Sequence, residues 1–152
     1  MSLSAFAVPV LLDTNQDASH VLRQWARMYH YGHIYLPALC VATCGLYGCA
    51  ALTRRWQDAA AGPAGSKGRN GGWIRYALAA VATGVMVPFT WYVMVPTNNT
   101  LFRLGAPGSE AVPLELVRGL VVRWAWLHVA RSLTPLVGAL LGFSTLVREL
   151  AA

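Results

Sequence analysis

Six polar side chains stand where their surroundings are apolar. Arg131 follows His128 by three residues in WLHVARSLTPLVGALLG, so the two share a helix face. His30 and His33 have the same spacing in RMYHYGHIYL, and Asn98 and Asn99 close the run PFTWYVMVPTNN. A guanidinium left in hydrocarbon costs about 3 kcal/mol or more, so Arg131 must face a bundle interior or water, or snorkel to the membrane interface. Turned inward, it is a pocket cation able to hold an oxyanion. An imidazole exchanges a proton near neutral pH, and a carboxamide both donates and accepts hydrogen bonds. The HxxH pair of His30 and His33 lacks a third ligand, so no metal site is expected. His20 reads as a solvated residue. Asn98-Asn99-Thr100 is also an N-glycosylation sequon, which makes Asn98 a candidate for modification. Trp25, Trp91, Trp124 and Trp126 read as interface anchors, or as walls of a flat aromatic pocket.

These groups need a scaffold, and composition names it. Of the 152 residues, 56% are hydrophobic and 12% charged, against about 25% charged in a soluble domain. Three apolar runs of about 20 residues match a hydrocarbon core of ~30 Å. They are Ile34 to Thr53, Tyr76 to Val95 and Leu127 to Val147. The expected fold is an all-α membrane protein, a single domain over 1–152. It holds three full transmembrane helices and a short N-terminal helix, SLSAFAVPVLL, read as the end of a fourth. Residues 13–33 form an amphipathic approach to the first span, and a helix begins near Leu114. The second span is expected to break at Pro96. Gly138 and Gly142 make a GxxxG, and Ala38, Ala42, Gly45 and Cys49 a second small-residue seam. Cys40, Cys44 and Cys49 read as packing residues.

The net charge of +6 gathers at the ends of the apolar runs. That is the mark of membrane orientation, and no nucleic-acid-binding pattern is present. The stretch 54–75 carries Arg54, Arg55, Lys67, Arg69 and Arg75 against Asp58, which makes it a flexible basic cytoplasmic loop. At ~1.5 Å per residue, His33 lies about 32 Å from Arg54, Asn98 about 34 Å from Arg75 and Arg131 about 25 Å from Arg148. Three spans thus bring polar groups to a similar depth near the opposite face.

At these residues the chain resembles the DUF1772 family, and within it the fungal anthrone oxygenases of aromatic polyketide pathways. The likeness rests on AVPVLLD, WARMYHYGHIYLP, PFTWYVMVPTNNTL and RWAWLHVARSLTPLVGALLG, and covers nearly the whole chain. Members show a full first membrane helix before the Ala-Val-Pro segment and often carry Asn at the position of His128; this sequence departs on both counts. The resemblance implies an O2-dependent monooxygenase of an endomembrane that oxidises the central CH2 of a polyketide anthrone to the carbonyl of an anthraquinone. O2 is the co-substrate and no cofactor is expected. On this reading His33 or His30 is the base and Arg131 stabilises the substrate oxyanion or the forming peroxide. Asn98 and Asn99 hold the substrate's oxygens, and Trp124, His128 and Tyr29 belong to the binding site. The partners are a hydrophobic aromatic small molecule and the lipid bilayer. Two other readings use the same residues: a non-catalytic membrane carrier of a lipophilic aromatic, and a copper-dependent oxidase using the histidines.

Overall fold

The computed structural model describes residues 4–61, 72–108 and 112–151. They form four helices and no strand: α1 (Ser4–Thr14), α2 (Ala18–Ala60), α3 (Gly72–Leu104) and α4 (Leu114–Leu150). The last three hold 43, 33 and 37 residues and are long and apolar enough to cross a membrane. Their outward surface fits that solvent. Val41, Leu46, Val81, Tyr92, Leu140 and Phe143 all point away from the protein, which water would not tolerate over so large an area and lipid does. The chain is an integral membrane protein.

The helices outrun the expected spans. The amphipathic approach and the first span are one helix that continues to Ala60, and α3 begins at Gly72. Residues 54–60 and 72–75, expected in a loop, are therefore helical; 62–71, with Lys67 and Arg69, lie outside the described residues, as do 109–111 of the second loop. Nor does α3 end at Pro96; it runs on to Leu104. The proline is accommodated by a π turn over Thr90–Met94, where the Val95 N–H reaches the carbonyl of Thr90, five residues back. Pro96 has no N–H to donate, and its ring would clash with the carbonyl four residues earlier in a regular helix. A locally widened turn just upstream removes that conflict.

By packing, the chain falls into two compact units. One gathers the chain up to Pro37 with Val87–Ser132, the other Ala38–Met86 with the chain from Leu133 onward. In the first, Val21, Leu22 and Trp25 of α2 meet Met94 and Leu101 of α3 and Val117, Val121 and Trp124 of α4, with Val8 and Leu11 of α1 against them. The spacings of three, four and seven residues place each set on one helix face. Asp17 caps α2 by accepting from the Ser19 N–H at 3.1 Å and the Ser19 hydroxyl at 2.7 Å. These bonds hold its carboxyl below the usual carboxylate range. Arg118 donates to the Leu12 carbonyl at 3.4 Å and Asn15 to that of Leu11 at 2.7 Å, so the end of α1 is not left with bare carbonyls.

In the second unit the GxxxG of α4 does what its composition implies. A side chain at Gly138 would meet the Ala79 carbonyl at 2.8 Å and the Thr83 hydroxyl, and one at Gly142 would meet the ring of Tyr47. Cys40 and Cys44 lie against α3 with thiols 3.4 Å from the carbonyls of Thr83 and Ala80. The other seam is not covered by the described residues: Ala38, Ala42, Gly45 and Cys49 are exposed. Arg54 forms an ion pair with Glu149 at 2.6 Å, and the Tyr76 hydroxyl donates to the same carboxylate at 3.1 Å. This network joins α2, α3 and α4.

Candidate active site

Every residue singled out from the sequence for chemistry falls in the first unit. α4 turns Trp124, His128 and Arg131 to one side, at spacings of four and three. All three are buried, Arg131 to 7% exposure and His128 to 8%. The guanidinium therefore faces the protein interior and does not snorkel. It donates to the Thr90 hydroxyl at 3.2 Å, and its other terminal nitrogen lies 3.3 Å from both ring nitrogens of His128. Equal distances put it beside the imidazole without selecting one lone pair. His128 in turn packs against Trp124, ring centroids 4.2 Å apart.

From Trp124 a file of rings leads outward. Trp124 meets Trp25 edge to face at 5.9 Å, Trp25 meets Tyr29 at 5.5 Å, and Tyr29 stacks on His33 at 5.3 Å with planes 13° apart. His33 then meets His30 at 5.6 Å. The two histidine groups thus lie at opposite ends of one aromatic file. His30 and His33 are exposed, and the structure does not bring them to Arg131; His128 is the imidazole that stands there. The Nδ1 of His33 is 3.2 Å from the Tyr29 carbonyl, within its own helix.

The two asparagines separate. Asn98 is buried to 3% between Met94 and Leu101 on the core face of α3, whereas Asn99 is exposed. About 100° of rotation per residue does this once the segment is helical, so Asn99 is not a neighbour of the buried cluster. The same burial withdraws the sequon: the Asn98 amide is not presented for glycosylation. The tryptophans divide likewise. Trp25 and Trp124 are core residues, while Trp91 and Trp126 face outward as anchors.

Thr90 is the residue sequence reasoning did not assign to the site, and Trp25 it left open between an interface anchor and a pocket wall. A threonine in an apolar run gives no signal of its own; only its place six residues before Pro96 hints at a special turn. A shallow apolar groove of about 480 Å³ lies between α1 and α2, walled by Phe6, Val10, Leu11 and Met28, and neither Arg131 nor His128 lines it. Among the described residues no three His, Cys, Asp or Glu side chains gather as metal ligands would.

The arrangement offers a fixed cation, an imidazole beside it, flat indole walls and a buried amide in an apolar, water-poor setting. A neutral imidazole can accept a proton from a carbon acid, and a guanidinium can hold the oxyanion that this loss creates. A family model described as anthrone oxygenase matches residues 25–141. The chain is 59% identical to the anthrone oxygenase nsrD of Aspergillus novofumigatus, over 99% of this chain and 85% of that protein. It is 50% identical to the anthrone oxygenase gedH of Aspergillus terreus, over 99% and 91%. With an anthrone oxygenase of Claviceps purpurea the identity is 39%, over 94% and 77%. No solved structure matches the chain significantly.

Proposed function

The chain belongs to the anthrone oxygenase family, and on that premise we propose that it oxidises a polyketide anthrone to the anthraquinone with O2, at the buried Arg131. The methylene to be oxidised is flanked by two aryl rings and lies opposite a ketone, so its loss of a proton gives an anion whose charge rests largely on oxygen. Arg131 is the group to hold that oxygen, in an environment where a preorganised donor acts at full strength. His128 takes the proton. An imidazolium beside the guanidinium is a like-charge pair, and the substrate oxyanion held against them relieves the repulsion. The anion transfers electrons to O2, carbon and oxygen join as a hydroperoxide, and loss of water leaves the second carbonyl. One oxygen atom enters the quinone and the other leaves as water, so the reaction balances with O2 alone. The balance calls for no external reductant, and we read the reaction as one without a resident cofactor.

The observation that carries the proposal is the inward, hydrogen-bonded guanidinium of Arg131 in contact with His128. We also read the basic stretch 54–75 as cytoplasmic and the membrane as an endomembrane; the charge asymmetry supports the first, and the lipid-soluble substrate fits the second. The test is turnover of an anthrone under oxygen-18 gas by membranes holding the protein. One labelled oxygen per quinone is expected, with loss of the reaction in Arg131→Gln. Label-free quinone, or full turnover by that variant, overturns it.

A further inference from the structure

The groove of about 480 Å³ between α1 and α2 lies within the first unit and changes character along its length. Near the turn that joins the helices it is lined by Thr14 and Gln24; away from the turn it is lined by Val10 and Phe6 of α1 and Met28 of α2. Both polar groups are already satisfied. Thr14 donates to the Val10 carbonyl at 2.7 Å. Gln24 donates to Nε2 of His20 at 2.7 Å and accepts from Asn15 at 3.2 Å. The groove therefore asks for hydrocarbon and for no hydrogen bond. Phe6 and Val10 are exposed on a helix with no charge before Asp13, which puts that wall in lipid.

Basic groups flank the groove on α2. Arg27 is three residues from Gln24 and next to Met28, so it stands at the groove's edge. It is exposed, and among the described residues it has no ion pair. The acids of this end, Asp13 and Asp17, lie at the turn. Asp17 is bonded to Ser19 and within electrostatic reach of Arg23; Arg27 is ten residues further along, about 15 Å. The Gln24 amide nitrogen can only donate, so His20 accepts through Nε2 and carries its proton on Nδ1, a donor without a partner among the described residues.

We propose that the groove and Arg27 form a site for one anionic phospholipid. One acyl chain lies along Val10, Phe6 and Met28, the phosphate meets the Arg27 guanidinium, and the His20 N–H serves the outer headgroup. The hydrocarbon end of the groove runs along α2 toward the apolar run that begins at Ile34, which is the direction a lipid tail takes. Lipid tails are as apolar as the groove walls, so the tail fits without selecting. The headgroup charge selects. A second copy of the chain is a poorer occupant: the three apolar runs hold no acid, so its spans would leave Arg27 unpaired. Such a site needs only the bilayer and stands apart from the oxygenase reading.

The test titrates the purified full chain in non-ionic detergent with palmitoyl-oleoyl phosphatidylserine or phosphatidylcholine, counting bound lipid by native mass spectrometry. The wild-type chain holds one phosphatidylserine, about fivefold more tightly than phosphatidylcholine, the worth of one arginine at a membrane surface. Arg27→Gln binds the two equally. Val10→Phe fills the groove and weakens both alike, yet melts within a few degrees of wild type because Val10 is already exposed. No bound lipid, equal affinities in the wild type, or a preference that survives Arg27→Gln overturns the site. So does a dimer that Val10→Phe dissolves, which gives the groove to a second copy. Displacement of the lipid by anthraquinone overturns it too, and gives the groove to the aromatic substrate.

Discussion

Arg131 of α4 and Thr90 of α3 are joined by a hydrogen bond of 3.2 Å, and Thr90 is also the residue whose carbonyl closes the π turn. The cation is therefore aimed by an irregular turn in a neighbouring helix, an arrangement that recurs at functional sites.

Removing a single oxyanion donor costs about 10²–10³ in kcat in enzymes that rely on one. Arg131→Gln is expected to lose at least that much. Arg131→Lys keeps the charge but not the planar fork, and falls between the two. Thr90→Val is expected to lower kcat about tenfold while leaving the melting temperature within a few degrees; Thr90→Ser restores it. Steady-state turnover of an anthrone in nanodiscs measures all four. Full activity in Thr90→Val would show that the hydroxyl does not position the guanidinium.

The histidines make opposite predictions. His30→Gln and His33→Gln leave kcat within about threefold, because both rings are exposed at the far end of the aromatic file. His128→Ala lowers it about 10²-fold or more, the usual worth of general acid–base catalysis. Since His128 also touches Arg131, added imidazole separates the roles: recovery of rate in His128→Ala marks a lost proton acceptor. If His33→Gln is inactive and His128→Ala is not, the base is at the outer end.

Gly138 and Gly142 divide by what opposes them. A methyl at Gly138 meets the Ala79 carbonyl, which is backbone and does not yield. Gly138→Ala should therefore cost about 1–3 kcal/mol by overpacking. A methyl at Gly142 meets the far end of Tyr47, so the destabilisation of Gly142→Ala should be recovered in the Tyr47→Ala background, and that of Gly138→Ala should not. Thermal unfolding in detergent, with a double-mutant cycle, checks both.

Much of this was legible because lipid makes sequence speak plainly. Apolar runs of the right length mark the spans, and the cost of a charge in hydrocarbon points Arg131 inward. What was not legible is which face a nearly all-apolar helix turns to its neighbours. With lipid outside, the outer face carries no polar stripe, so His33 and His30 were indistinguishable from inward groups and the seam from Ala38 to Cys49 from a contact. Asn98 and Asn99 could not be separated until α3 was seen to pass through Pro96. The role of Thr90 depends on a π turn, which no periodicity of side chains announces.

That turn gives the last prediction. Pro96 is the physical reason a regular helix fails between Thr90 and Val95. Pro96→Ala restores an N–H and removes the ring, so α3 can return to ordinary α geometry with one more regular hydrogen bond. Losing the extra residue of the turn rotates one side of α3 by about 100° relative to the other. Thr90 and Asn98 lie on opposite sides of it, so they cannot both keep their present directions. The variant is expected to melt at a higher temperature yet lose most of its anthrone turnover, because either the partner of Arg131 or the buried amide is turned away. Thermal melting by circular dichroism, alongside kcat on the same preparation, reads both halves. Greater stability with unchanged kcat would mean that the π turn only accommodates the proline and does not aim the site.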